Sequence, residues 1–414
     1  MSGYGGKQQM KQMMVSIEEG RQRILDAVVP VETMQIPLGD AYGRVLAMDI
    51  VAKDDVPSFD RSPFDGYAFR AADTINAEKD APVTLKVIDY IPAGDISHAP
   101  VTEGTAVRLM TGAPIPEGAD CVCKYEETEF TDTEVRIFNP GKADENIIHK
   151  GEDVAKGTVL AEAGTVIDAG MMGTLAGQNI ANPLVYKQIT AGIIATGSEL
   201  VPVGTEPGPG MIIDTNEYTL TGAMERMGFL VRRYGIADDT EEAIADVLEK
   251  ALSECELVLI TGGASVGDYD VTPAAMERIG IKLLFHGVDM KPGKACEYGV
   301  RDGKLICGLS GHPSSSLTNL LLVGLAGIRK MTGIKDYMPQ EIDLELDSDF
   351  KKTSKNDRVI RGTLVIEDGV AKIRAPKGQG NIMISSTIGC DLVAVIPGGS
   401  GPLQKGAKIK GYQI

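Results

Sequence analysis

Between about residue 185 and residue 334, apolar runs of strand length alternate with stretches of helical period, and this alternation constrains the fold more than any other feature. A strand, a helix and a second strand return the chain in one direction, which builds a parallel sheet covered by helices on both faces. Strands are expected at Ile189–Ala195, Phe229–Tyr234, Leu257–Thr261 and Leu305–Leu309. Helices are expected at Asn216–Met227, at Thr240–Ser253 with Asp239 as its cap, after Pro273, and from Pro313 to near Gly333. The segment reads as a doubly wound α/β domain.

Ligands of such sheets bind beyond the carboxyl ends of the strands, so the loops that follow strands matter most. Three of them, TGSEL (196–200), TGGASVGDYD (261–270) and GLSGHPSSS (308–316), are rich in Gly, Ser or Thr. Small residues such as Gly262, Gly263 and Ser265 let backbone N–H groups approach an anion, and the helix opened by Pro313 would aim its positive end at the same place. Glu199, Asp268 and Asp270 add carboxylates beside those donors, and hard oxygen ligands next to a phosphate cradle suggest Mg²⁺. Neither GxGxxG nor GxxxxGK[ST] occurs, which argues against ordinary dinucleotide or P-loop nucleotide binding. Gly263-Ala-Ser265-Val-Gly267 fits the G-x-S-x-G pattern of serine hydrolases, with His286 or His312 nominally available for a triad. GDYDVTP, however, keeps the chain irregular where a nucleophile elbow needs a helix, so Ser265 reads as a cradle residue.

Outside this segment the reading changes. Ser16 and Glu19 form a capping box ahead of a helical stripe of Ile17, Ile24, Leu25 and Val28. Residues 36–177 are short apolar runs broken by Pro, Gly and Asp, as in β-rich modules, and 341–414 read as a compact β-barrel. A chain of 414 residues exceeds one growing core, so about two to four domains are expected. Its net charge of −17 argues against nucleic acid or an anionic membrane as partner. From Lys335 onward 12 Lys+Arg stand against 10 Asp+Glu, leaving −19 for the rest, so an anionic substrate needs local cations. KPGK (291–294) supplies two, Lys291 and Lys294, on a rigid bend suited to a tetrahedral oxyanion. No run approaches a membrane span, the polar start lacks a signal core, and six scattered cysteines make neither a disulfide framework nor a zinc site, so a cytoplasmic protein is expected.

PSFDRSPFDGYA, TGAPIPEGAD, KGEDVAKG, IIATGSELV, DTN at 214–216, TGGASVGDYD, KPGK and GLSGHPSS occur in the order seen in the molybdopterin molybdenumtransferase family, the MoeA and gephyrin E-domain type, which this chain resembles from its first helix to its last strands. The resemblance implies a multidomain α/β plus β protein. Residues 1–28 with 178–334 would form the molybdopterin-binding α/β domain, 29–50 with 144–177 a linking β-rich domain, 51–143 a β-rich arm and 335–414 the C-terminal β-barrel. It implies a transferase of molybdenum cofactor biosynthesis that inserts molybdate into adenylated molybdopterin and releases AMP with Mg²⁺, as a homodimer whose active-site cleft is shared between subunits.

Carried over by motif, Asp65, Glu199, Asp238 and Asp270 would be catalytic, with Asp238 and Asp270 on the metal. Thr111, Asp214, Gly262, Gly263, Ser265, Lys291, Lys294, Ser315 and Arg361 would bind substrate, the last four as oxyanion contacts. Three departures stand out: Pro63-Phe64 where the family usually has Ala-Met, His312 where it has Asn, and Ala295 where Pro follows the second lysine. Two alternatives fit less of the chain. A molybdopterin adenylyltransferase would lack the arm and barrel, and a non-catalytic cofactor carrier or scaffold would not need the retained acids and lysines.

Overall fold

The computed structural model describes residues 14–263 and 271–414. The chain divides into two compact units, one comprising residues 49–162 with 169–181 and the other the remaining segments.

The opening helix α1 (Ile17–Ala27) starts where the sequence places it, with Ser16 Oγ accepting from Glu19 N at 3.1 Å. The second half of the capping box does not form: the Glu19 carboxylate pairs with Arg23 at 2.6 Å, the (i, i+4) partner one turn on. Ile17, Ile24 and Val28 are buried against the α/β core, each such side chain contributing about 1.5–3 kcal/mol of transfer free energy.

The smaller unit is built on a six-stranded sheet of β1 (Gly66–Phe69), β2 (Val83–Ile91), β3 (Thr105–Leu109), β4 (Cys121–Lys124), β5 (Thr128–Phe130) and β6 (Glu134–Ile137), in the order β4-β1-β3-β2-β6-β5. All pairings are antiparallel except β2 with β3. Cys121 and Cys123 alternate on β4 and face one side, packed with Tyr67 and Phe69. Burial pushes both thiols up, that of Cys123 to about 11. Helix α2 (Ala169–Gly177) belongs to the same unit.

In the larger unit β7 (Thr190–Thr196), α3 (Asn216–Arg226), β8 (Leu230–Ala237), α4 (Glu241–Glu254), β9 (Leu257–Thr261), α5 (Thr272–Arg278), β10 (Lys282–His286), β11 (Cys296–Arg301), β12 (Lys304–Leu309), α6 (Pro313–Asn319) and α7 (Leu325–Met331) form the α/β layer. The strand order is β8-β7-β9-β12-β11-β10; the first four are parallel, and the last two join antiparallel. One face of the sheet packs α1, α3 and the run from α6 to α7; the other packs α4 and α5. The expected doubly wound domain is present, with two corrections. Thr240, not Asp239, caps α4, its hydroxyl accepting from Ala243 N at 3.3 Å. The expected Pro313–Gly333 helix is interrupted at Leu320–Gly324 by a π-helical turn.

The C-terminal barrel contains β13 (Glu341–Leu346), β14 (Asp357–Glu367), β15 (Val370–Arg374), β16 (Leu392–Ile396) and β17 (Lys408–Gln413). β14 pairs with β15 and with β16, which closes the five strands on themselves. Met290–Lys291 adds to β14 in parallel register with Asp357–Arg358, so the KPGK segment is anchored to the barrel through its backbone. Val359 and Val393 of the barrel enter the core of the α/β layer.

Candidate active site

The connection reverses between β7 and β9: β7 leads to β8 on one side, and the chain then crosses back to β9 on the other. A crevice outside the carboxyl ends of the strands opens at such a switch point. There the three glycine-rich loops meet backbone to backbone. Gly262, at φ +92°, lies so close to Thr196 that a Cβ would collide with the Thr196 carbonyl oxygen, and its N–H donates to Leu309 O at 3.2 Å. A Cβ on Gly311 would stand 3.7 Å from the Gly262 Cα. Asn216, at the start of α3, donates from Nδ2 to Gly311 O at 2.9 Å and accepts at Oδ1 from Ser316 Oγ at 3.2 Å, which ties DTN to the GHP loop.

Beside this junction a cavity of about 310 Å³ is lined by Lys291, Lys294, Ser310, His312, Ser315 and the barrel residues Asn356 and Asn381. Both lysines are exposed, whereas Ser315 is buried with an Oγ that has no hydrogen-bond partner among the described residues. The residues expected to hold an oxyanion are thus gathered, except for Arg361. Arg361 is 2% exposed on β14 and lines a separate, mostly apolar cavity of about 480 Å³. Its guanidinium donates to Thr318 Oγ1 at 3.3 Å and Ser386 Oγ at 3.0 Å, and burial lowers its pKa.

Of the expected acids, Glu199 is exposed in the loop after β7, and Asp238 is exposed directly after β8, whose Ala237 is in register with Thr196. Asp214 is buried: Oδ1 accepts from Asn216 N at 2.9 Å and Glu217 N at 3.3 Å, while Oδ2 has no partner among the described residues. It borders a cavity of about 290 Å³ with Glu217, whose carboxyl is held above its usual range by burial and by the neighbouring Asp214 charge. Gly263 ends the described part of its loop at φ +64°. Ser265, Asp268 and Asp270 lie outside the described residues. Among the described residues no three His, Cys, Asp or Glu gather to hold a metal ion.

In the smaller unit Asp65 and Thr111, both expected in the arm, lie together. One Asp65 carboxylate oxygen accepts from both Thr111 N and Thr111 Oγ1, each at 2.7 Å, and these bonds hold the carboxyl below the usual aspartate range. The two motif loops are laced further by Ser62 N to Ala113 O at 3.0 Å and Gly112 N to Ser62 O at 2.8 Å.

The sequence reading missed Ser314 and Asn319. Ser314 Oγ lies 2.8 Å from Gly380 O and 2.7 Å from Asn381 O, joining α6 to the barrel. Asn319 Nδ2 donates to Gly293 O at 2.7 Å.

Family models match two parts of the chain: "MoeA N-terminal region (domain I and II)" at residues 15–178 and "Probable molybdopterin binding domain" at 192–330. A molybdopterin molybdenumtransferase of Staphylococcus epidermidis is 37% identical over 85% of the chain and 84% of its own length. One from Staphylococcus aureus is 34% identical over 94% and 93%. A crystal structure described as the molybdopterin biosynthesis moeA protein of Pyrococcus horikoshii OT3 superposes with a TM-score of 0.81 at 32% identity, covering 97% of this chain and all of that one.

Proposed function

The chain belongs to the molybdopterin molybdenumtransferase family and acts as a transferase in molybdenum cofactor biosynthesis, and from that premise we propose that its reaction is insertion of molybdate into adenylated molybdopterin with release of AMP. The observation that carries this reading is the two-lysine cavity set against the junction of three glycine-rich loops. A dianion needs cations in a chain of net charge −17, and Lys291 and Lys294 supply them where small residues admit a phosphate-bearing ligand.

Ser315 Oγ, buried and without a hydrogen-bond partner among the described residues, suits an oxygen of the same oxyanion. Gly262 and Gly263, without side chains, leave room for the phosphates at the junction, and Asp214, through its bonds to Asn216 N and Glu217 N, holds the start of α3, whose Asn216 reaches the Gly311 carbonyl. Holding the two reactants side by side is the main demand of such a transfer. We assign Mg²⁺ as the cofactor because the acids nearby are hard oxygen donors; bound there, it would neutralise pyrophosphate charge. The described residues bring only separate carboxylates to the strand ends, so Asp238 would need Asp270 to complete a metal site. The protein is assigned to the cytoplasm, in keeping with its six free thiols; no helix of the described residues is long and apolar enough to cross a membrane.

Purified protein incubated with adenylated molybdopterin, Mg²⁺ and molybdate should release AMP in proportion to molybdate-loaded product. Lys291→Ala should raise the half-saturating molybdate concentration. AMP release independent of molybdate, or consumption of ATP with free molybdopterin, would replace this reading by a hydrolase or an adenylyltransferase.

A further inference from the structure

The two lysines of KPGK are exposed, but the residues between them are not: Pro292 and Gly293 are buried. What fixes the separation of the ammonium groups is therefore whatever grips the buried middle of the bend. Gly293 sits at φ +99°, and a Cβ there would press on Met290, Asn319 and the Ser315 carbonyl. Its own carbonyl accepts from Asn319 Nδ2 at 2.7 Å, and Asn319 Oδ1 accepts from Tyr298 Oη at 2.8 Å. Both side chains are fully buried, and Tyr298 is held in place by stacking on Phe285, centroids 5.1 Å apart.

We infer that Asn319 is a positioning residue for the two-lysine pocket and that Tyr298 holds its amide in place. The inference rests on the reading of that pocket as the oxyanion site. An asparagine amide can turn over, exchanging donor and acceptor. The Gly293 carbonyl can only accept, so it selects the orientation with Nδ2 facing it, and the Tyr298 hydroxyl supports that orientation by donating to Oδ1, so the loop is drawn against α6 rather than repelled.

The surrounding chain is shaped to keep this contact. Asn319 is the last residue of α6, and the π-helical turn Leu320–Gly324 begins directly after it. A π turn widens the helix and frees a carbonyl from the regular ladder. Here Leu322 O accepts from Arg21 Nε of α1 at 2.5 Å. At Gly324 a Cβ would meet the Tyr298 hydroxyl at 2.9 Å, so glycine at this position leaves room for the phenol. The neighbouring Asn356 donates to Asp289 just ahead of KPGK, and Val288 N donates to Lys294 O at 2.9 Å, which closes the loop from its other end.

The test measures AMP release by the full chain as molybdate and adenylated molybdopterin are varied separately, for wild type, Lys291→Ala, Tyr298→Phe and Asn319→Asp. Tyr298→Phe keeps the ring and removes only the hydroxyl; Asn319→Asp keeps the shape and removes the donor. Each should raise half-saturating molybdate by roughly 3- to 10-fold, the size of effect one lost buried hydrogen bond supports. The half-saturating adenylated molybdopterin and the rate at saturating molybdate should stay within about twofold, because the glycine-loop junction is untouched.

A packing role alone would lower the melting temperature and leave the molybdate dependence unchanged. That result for Tyr298→Phe, with Lys291→Ala still impaired for molybdate, would overturn the inference and leave the oxyanion reading standing. If Lys291→Ala also shows wild-type molybdate dependence, the oxyanion reading itself fails and the inference falls with it. Should Asn319→Asp not fold, Tyr298→Phe decides alone.

Discussion

Asp65 shows how a single exposed carboxylate can be held in place. Two short bonds from one threonine converge on it, from the backbone N–H and the hydroxyl of Thr111. Both bonds favour the ionised form, and the backbone bond is the larger cause of the lowered pKa, with Arg108 adding a smaller charge effect. Because the folded pKa lies below the unfolded one, the carboxylate contributes stability above the unfolded pKa that is lost as pH falls through the folded value. Thr111→Val removes the hydroxyl bond and keeps the backbone one. The Asp65 titration followed by NMR should therefore move upward but stay below the ordinary aspartate value, and an unchanged midpoint would show that the hydroxyl contributes nothing. Asp65 and Thr111 were legible in the sequence because each belongs to a run of motif residues. Asn319 was not: a lone asparagine in an apolar helical stripe has no spacing signature. Its partner lies 26 positions earlier in a loop whose path only the fold decides.

At the scale of elements, Gly262 joins the ends of β7, β9 and β12, and its substitution tests whether the junction is a site or a turn. Gly262→Ala places a Cβ against the Thr196 carbonyl oxygen in a backbone region that side chains rarely adopt. Unfolding free energy from denaturant titration should fall by roughly 1–3 kcal/mol, and AMP release should fall further than that loss of folded protein explains. Wild-type stability would mean that the loops can part without cost. The parallel strands were readable because strands covered on both faces become near-continuous apolar runs, such as Leu257–Thr261, every residue of which is buried. The hairpin of β11 and β12 was not read as one. Glu297 interrupts its apolar run, and that carboxyl is buried 3.1 Å from His286, an arrangement invisible to periodicity. Its turn did carry a signal: Asp302 and Gly303, at φ +52° and +76°, are the Asp-Gly pair favoured in two-residue hairpin loops.

At the scale of the whole molecule, the residues assigned to one reaction are divided between two compact units, Asp65 and Thr111 in one, Lys291, Lys294 and Ser315 in the other. A site completed within one chain and a site completed by the arm of a second copy make opposite predictions for mixed dimers. Assayed at molybdate well below the half-saturating concentration of Lys291→Ala, chains carrying Asp65→Ala or Lys291→Ala are each expected to be nearly inactive alone. If every site takes Asp65 from one subunit and Lys291 from its partner, a dimer with one chain of each kind has one site carrying both substitutions and one carrying neither. Random mixing in equal amounts makes half of the dimers mixed, so activity should recover to about one quarter of wild type. If each chain completes its own site, every site in the mixture carries one substitution and no activity returns. We expect recovery, measured as AMP release after co-refolding or co-expression with separable tags. Absence of recovery in tag-purified mixed dimers would place Asp65 and Lys291 in the same chain's site and rule out the shared cleft that the family resemblance implies.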